Sequence, residues 1–315
     1  MIVLQSGKAK SGNFFLYKIL KNIFEEAELP SKNFIQQQPI YELAKNWELS
    51  NQDQVNIDVV DFESECCFYR ISSIFRMPIK DINAYLQETN HIWTHSQIKE
   101  GNIQYLQKID KIVYIIRDPR DVAISMSKFL FTPYMQNYYP CNAGSPEDYL
   151  NESLYRQITA WVTHVGGYLK YKHKLPIHFV FYERLLENCQ EEISKLTDFL
   201  GLEFKDSEAV KRIANKVSFI NMKKDAPNHV REGIAQQWKK HLTRQQIKEV
   251  KQIAKPMLEL LNYSIDEKEN TKKLPYLPDN ISDSKIQKII ETSQNNRILV
   301  NVKKRLKGWY KAKFN

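Results

Sequence analysis

Three stretches of the 315-residue chain combine residue types and spacings that can do chemistry. The first is Ser6-Gly7-Lys8-Ala9-Lys10-Ser11-Gly12-Asn13, directly after the short apolar run Ile2 to Leu4. Two glycines let backbone amides converge, a following helix start adds its dipole, and Lys8 and Lys10 add full charge, so the stretch suits an anion. The spacing of Gly7 and Gly12 matches the opening of a Walker A loop. That motif needs Lys and then Ser or Thr after the second glycine, whereas Asn13 and Phe14 follow here, leaving no residue to hold magnesium. The plain alternative is a strand-to-helix turn with two solvated lysines. The second stretch is Arg117-Asp-Pro-Arg-Asp-Val-Ala-Ile-Ser125. Arg117 closes a strand, Asp before Pro starts a helix, and Ser125 lies two turns in, so a phosphate above the helix start could meet a guanidinium and a hydroxyl together. Its alternative is a surface ion pair of Arg117 with Asp118 or Asp121. The third, Asn90-His-Ile-Trp-Thr-His95-Ser, holds two of seven histidines. An imidazole with an ordinary pKa near 6.5 suits taking a proton from a hydroxyl or amine, although a lone histidine is more often structural.

The elements that must position these groups are legible in the apolar pattern. Leu16, Ile19, Leu20, Ile23, Phe24 and Ala27 repeat at helical spacing, so the first stretch joins a strand to an amphipathic helix. The pattern recurs at Lys111 to Ile116, followed by a helix through about Lys128, and at Ile177 to Tyr182, followed by a helix that closes at Gly201. Three such units predict an α/β fold with a central parallel sheet flanked by helices, and ligands at the C-terminal strand ends.

Composition bounds the rest. With 42% hydrophobic and 26% charged residues the chain reads as soluble and globular, which excludes disordered, collagenous and membrane classes. The net charge is +9, of which residues 285 to 315 hold +8, nine basic residues against the single acid Glu291. The high isoelectric point therefore belongs to a tail and does not mark a nucleic-acid binder. No apolar run approaches the roughly 20 residues of a bilayer span, and Met1 to Lys10 lacks the pattern of a signal peptide, so a cytoplasmic protein is expected. Cys66, Cys67, Cys141 and Cys189 form no CxxC pair and are expected to be reduced, with neither zinc nor disulfides. Residues 1–266 read as one domain, 267–280 as a polar linker, and 281–315 as a basic amphipathic extension. Its apolar residues are numerous enough to need covering, so packing on the body is expected over lying on an anionic membrane.

In company, these segments resemble the cytosolic-type sulfotransferases that use 3′-phosphoadenosine 5′-phosphosulfate (PAPS), over roughly Met1 to Ile265, as a divergent bacterial-type member. Lys10-Ser11-Gly12-Asn13-Phe14-Phe15-Leu16 is similar to the family's 5′-phosphosulfate loop, written Lys-Ser-Gly-Thr-Thr-Trp. Arg117 to Ser125 is similar to its 3′-phosphate segment, in which the first Arg and the Ser bind. Phe181-Tyr182-Glu183 resembles the segment whose Tyr approaches adenine. Ser218-Phe219 with Met222, and then Val230-Arg231-Glu232-Gly233, resemble the closing adenine and 3′-phosphate region.

The resemblance implies a P-loop-like three-layer fold with a C-terminal helical extension, and in-line transfer of a sulfuryl group from PAPS to a small-molecule hydroxyl or amine, leaving PAP, with no metal. It implies His95, at the place of the family's Lys-Thr-His, as general base, with His91 as rival. It implies Lys10 neutralising charge on the leaving group. Four positions depart from the pattern: Asn13 and Phe14 for two threonines, Trp93 for a lysine, and Glu232 for a lysine. The acceptor is expected between Ile57 to Met77 and Phe129 to Tyr149. There the aromatics Phe62, Phe68, Tyr69, Phe131, Tyr134, Tyr138 and Tyr139 lie among the acids Asp58, Asp61, Glu63 and Glu65, which could cage a cationic natural product or form a solvated acidic loop. A small-molecule partner is expected, not nucleic acid or membrane, and a homodimer is compatible with the sequence. The rival functions are a P-loop nucleotide or small-molecule kinase, which Asn13 disfavours, and a nucleotide-dependent scaffold using the basic tail.

Overall fold

The computed structural model describes residues 1–225, 233–266 and 273–314. Seven short strands, β1 (Val3–Gly7), β2 (Asp58–Phe62), β3 (Cys67–Ile71), β4 (Phe75–Ile79), β5 (His91–Thr94), β6 (Lys111–Ile116) and β7 (Ile177–Phe181), form one sheet in the order β4-β3-β2-β5-β1-β6-β7. β2, β5, β1, β6 and β7 run parallel, while β3 pairs antiparallel with both β2 and β4. The sheet is therefore mixed. The expected parallel units occupy its centre and one edge, and the stretch from 57 to 77 is sheet where the sequence suggested a loop.

Burial explains the centre. Ile112 to Ile116 of β6 are completely buried, as parallel strands covered on both faces must be. Alternation sorts their side chains into two layers. Val113 and Ile115 pack with α1 (Asn13–Glu26), whereas Ile112, Tyr114 and Ile116 pack with α2 (Pro119–Leu130), α3 (Pro146–Lys170) and α4 (Arg244–Leu260). The polar residues inside β1 are satisfied, since the Gln5 amide donates to the Asn13 carbonyl at 3.0 Å and the Ser6 hydroxyl donates to Tyr168 at 2.7 Å.

The last helix, α5 (Asp283–Phe314), packs on α3 and α4. Ile286, Ile289 and Ile290 are buried there, each worth about 2 kcal/mol of transfer free energy. Gly166 of α3 makes the approach possible, because a Cβ at that position would come within 2.7 Å of the Ile290 side chain. Among the described residues no helix is long and apolar enough to cross a membrane, and all four cysteines are free.

Candidate active site

A cavity of about 450 Å³ opens over the C-terminal ends of the parallel strands. Lys10, Gly12, Asn13, Phe15, Arg117, Ser125, Tyr182, Phe219, Met222 and Gly233 line one half. Ile57, Val59, Arg70, Ser72, Phe129 and Tyr134 line the other, Trp93 and His95 stand between them, and Phe14 also borders the cavity.

The first loop is built to present backbone donors. The Ser11 amide donates to the Lys8 carbonyl at 3.0 Å, closing a turn in which Lys10 and Gly12 take φ of 72° and 96°. At Gly12 the left-handed backbone and the Tyr182 ring, which would lie 2.4 Å from a Cβ, together demand glycine. The helix α1 that follows has no side-chain cap, so its first amides are left for a ligand. Asn13 lines the cavity and also holds the loop. Its side-chain amide donates to the Lys8 carbonyl at 2.9 Å and braces the turn. Among the described residues the Ser11 hydroxyl is buried without a partner, and Ser11 does not line the cavity. The Lys10 ammonium lies 3.9 Å over the Phe129 ring, and burial lowers the pKa of Lys8.

The two arginines of the second stretch divide their work. Arg120 is buried, forks onto Asp118 at 2.6 to 2.9 Å, and lies 3.6 Å over the Trp238 ring. Asp118 also caps α2 through the Arg120 amide. With that carboxylate engaged, Arg117 turns to the cavity. Its guanidinium lies 4.2 Å over the Tyr182 ring and donates at 3.3 and 3.4 Å to the carbonyls of Lys10 and Ile234, while its Nε has no partner. Asp121 accepts from the Trp238 amide at 2.9 Å, and burial raises its pKa to about 6. Beneath them Glu183 accepts from the Asp118 amide and the Tyr263 hydroxyl, and burial pushes its pKa to about 7. An aromatic floor of Phe15, Tyr182 and Phe219 completes this half. Gly233 at φ 59° lies so close that a Cβ there would meet the Phe219 ring at 2.2 Å.

His95 is held by its neighbours in one tautomer. Nδ1 is 2.7 Å from the Gly7 carbonyl, which can only accept, so Nδ1 carries the proton. Nε2 therefore presents a lone pair, and the Trp93 indole donates to it at 3.3 Å. Burial pushes the pKa down to about 3, with the charge of Arg70 adding to the effect. The backbone is fixed from α3, as His164 lies 3.0 Å from the His95 carbonyl and Tyr168 donates to the Ser96 carbonyl at 3.0 Å. Tyr114 in turn donates to His164 at 2.7 Å. His91 points elsewhere: its ring stacks on Tyr17, bonds Gln5 at 3.0 Å and borders a separate cleft.

Of the residues singled out from sequence, Ser11 and Ser218 do not line the cavity, and Arg231 and Glu232 lie outside the described residues. Of the two readings of the acidic stretch, the cage is corrected. Asp58 is buried on the amides of Phe34 and Ile35, Asp61 pairs with Arg70 and Arg76, Glu63 pairs with Arg76, and Glu65 is exposed. None of the four lines the cavity, and of the seven aromatics only Tyr134 does. Sequence reasoning missed Arg70, Ser72, Phe129, His164 and Tyr114. In Cys67-Phe-Tyr-Arg-Ile71 every second residue is buried and Arg70 falls on the opposite face, an alternation that Phe68 hides in the sequence.

A model of the sulfotransferase domain matches residues 3–274. The chain belongs to the sulfotransferase family. Sulfotransferase 1B1 of dog is 31% identical over 152 residues, covering 42% of this chain and 49% of that protein. Sulfotransferase 1A1 of cattle is 31% identical over 121 residues, covering 38% of this chain and 39% of that protein. The chain thus spans half or less of the length of these relatives. Retinol dehydratase in complex with androsterone and inactive cofactor PAP shares the fold at a TM-score of 0.57 and 18% identity, covering 87% of this chain and 82% of that one. A mouse sulfotransferase complexed with PAP does so at 0.52 and 17%, covering 86% and 84%.

Proposed function

We propose that this sulfotransferase-family chain moves a sulfuryl group from PAPS to a hydroxyl or amino group of a small molecule, with His95 as general base. The observation that carries the reading is the orientation of His95. Its protonated nitrogen is held on Gly7, its other nitrogen accepts only from the Trp93 indole, and the residue lines the cavity that Lys10, Arg117 and Ser125 also line.

The residues present fit the nucleotide. The uncapped start of α1 and the ammonium of Lys10 suit the 5′-phosphosulfate, Arg117 with its unpartnered Nε and Ser125 suit the 3′-phosphate, and Tyr182, Phe219 and Gly233 form an apolar cradle for adenine. When bound, PAPS supplies an electrophilic sulfuryl group on a phosphate leaving group. His95 takes the acceptor proton at Nε2 as the acceptor oxygen or nitrogen bonds to sulfur. Nδ1 keeps its proton and donates it to the Gly7 carbonyl, which stabilises the imidazolium that forms. Lys10 places positive charge where the bridging oxygen of the leaving nucleotide gathers negative charge. To meet Nε2 the acceptor must displace the indole N–H of Trp93. These protein groups act by position and charge, as in phosphoryl transfer.

Calorimetry with PAP, followed by a mass-spectrometric screen of phenol and amine acceptors with PAPS, tests the reading. Binding of PAP and a mass gain of one sulfuryl group are expected. ATP turnover without sulfuryl transfer would replace the reading with that of a kinase, and nucleotide binding without any transfer would favour a scaffold. The kinase reading gains nothing from Asn13, whose side chain is committed to the Lys8 carbonyl.

A further inference from the structure

The half of the cavity beyond Trp93 carries its own charge. Sheet register places Arg70 of β3 beside Val59 of β2, and Val59 beside Trp93 of β5, so the three form one row across the sheet. All three line the cavity. Neighbouring strands are about 4.8 Å apart, so Arg70 stands about 10 Å across the sheet from Trp93. His95 follows two residues later, and the charge of Arg70 is felt there, since it is among the causes that depress the His95 pKa.

Arg70 is held without being used up. Its Nε donates to Asp61 at 3.0 Å and its Nη1 donates to the Ser72 carbonyl. Among the described residues no protein group takes Nη2. Asp61 is shared, because its other oxygen lies 3.3 Å from Arg76, and it does not line the cavity. Arg70 therefore lines the cavity as a positioned guanidinium with Nη2 left over, while its countercharge Asp61 does not line the cavity. Beside it the Tyr134 hydroxyl is bonded to the Ser72 hydroxyl, two groups either of which can turn a proton outward. Around this polar corner the wall is apolar, made by Ile57, Val59, Phe129 and Met135. Among the described lining residues Lys10, Arg70, Arg117 and Lys128 are cationic and Asp121 alone is acidic. A cationic acceptor would find no carboxylate in its half.

We infer that Arg70 and Tyr134 form a subsite for a carboxylate on the acceptor, so that the molecule sulfated is a compact aromatic or apolar alcohol or phenol bearing an acid about one ring and a short chain away from its hydroxyl. The inference rests on the transfer reading above and adds the substrate class to it. A remaining guanidinium N–H and a neighbouring hydroxyl can each donate to one oxygen of a carboxylate, and a partly enclosed wall strengthens the pairing.

The test uses three phenols of similar size, 3-(4-hydroxyphenyl)propanoate, its amide and tyramine, titrated into the full chain with and without PAP. The carboxylate is expected to bind about 10- to 100-fold more tightly than the amide, the range for a hydrogen bond to a charged group. Tyramine is expected to bind most weakly. Arg70→Gln should bring carboxylate and amide to parity, Arg70→Lys should keep part of the preference, and Tyr134→Phe should reduce it several-fold. With PAPS, the same order should appear in kcat/KM. If the wild-type chain binds the amide or tyramine as well as the carboxylate, or if Arg70→Gln keeps the full preference, the subsite is overturned. The wild-type comparison decides even if Arg70→Gln does not fold. Failure of PAP to bind would instead remove the transfer reading, and the carboxylate preference of the nucleotide-free protein would still report on Arg70.

Discussion

On one side of His95 the cavity wall is made by turns: the loop from Lys8 to Asn13, the start of α2 behind Arg117, and Gly233 against Phe219. On the other side it is made by side chains that meet only because strands pair: Val59, Arg70 and Trp93 in one row, with Tyr134 brought in by its bond to Ser72. The first half is local in sequence and general in chemistry, because backbone amides and helix starts bind any phosphate. The second half is non-local and particular. The comparison teaches that a common donor and a private acceptor can be served by one sheet, with the parallel centre holding the first and the antiparallel edge shaping the second.

His95 sits at the join, and removing it is the largest way to break the comparison. His95→Ala should lower turnover by about 10²- to 10⁴-fold, the usual worth of a positioned base, while PAP affinity stays near that of the parent. Stopped assays for turnover and calorimetry for PAP check the two arms separately. If turnover and PAP affinity fall together, His95 belongs to the nucleotide half and the division drawn here is wrong.

The same division decides what could be seen in advance. Gly7, Gly12 and the Asp-Pro helix start are punctuation that acts within a few residues, so the first loop, the Arg117 turn and the strands beneath them were legible. The edge strands were not. Phe75–Ile79 contains Pro78 and Arg76, and Cys67–Ile71 contains Arg70, so neither reads as a strand until its partner is known. The acids of this region drew attention as a cage because composition does not show pairing. Asp61 and Glu63 serve two arginines, and Asp58 serves two backbone amides. His164 was hidden for a similar reason. On α3 it is one polar residue in a long helix, and its bond to the His95 carbonyl is a tertiary fact.

A smaller effect sharpens the nucleotide half. Arg117→Ala should weaken a nucleotide carrying the 3′-phosphate by about 10- to 100-fold, the scale of a charge-assisted hydrogen bond, and weaken the nucleotide lacking that phosphate much less. Calorimetry with the two nucleotides measures the difference. Arg117 also stacks on Tyr182 and bridges the carbonyls of Lys10 and Ile234, so some loss with both ligands is expected through the loop. Equal loss for both would mean that bridging is its whole role.

The smallest effect is one that should fail to appear. An ordinary histidine base titrates near pH 6.5 and imposes a falling limb below it. Burial holds His95 down to about 3, so the free protein keeps its base neutral through that range and kcat/KM should run flat across about pH 5.5 to 8. Stability has a separate pH dependence, and its sign must be taken group by group. His91, His95 and His164, depressed to about 3, 3 and 4, give stability that is present above the unfolded value near 6.5 and is lost as pH falls through the folded values. Asp58, Asp121 and Glu183, raised to about 6, 6 and 7, act in the opposite sense: their contribution is present below the ordinary carboxylate range and is lost as pH rises through the folded values. The two sets oppose each other from about pH 4.5 to 6.5, which flattens the melting temperature there, and Glu183 alone still titrates near 7. Any acid limb in activity should therefore coincide with loss of circular-dichroism signal. A limb with its midpoint near 6.5 in protein that is still folded would show that burial does not keep the base neutral, and that the join between the two halves is open to water.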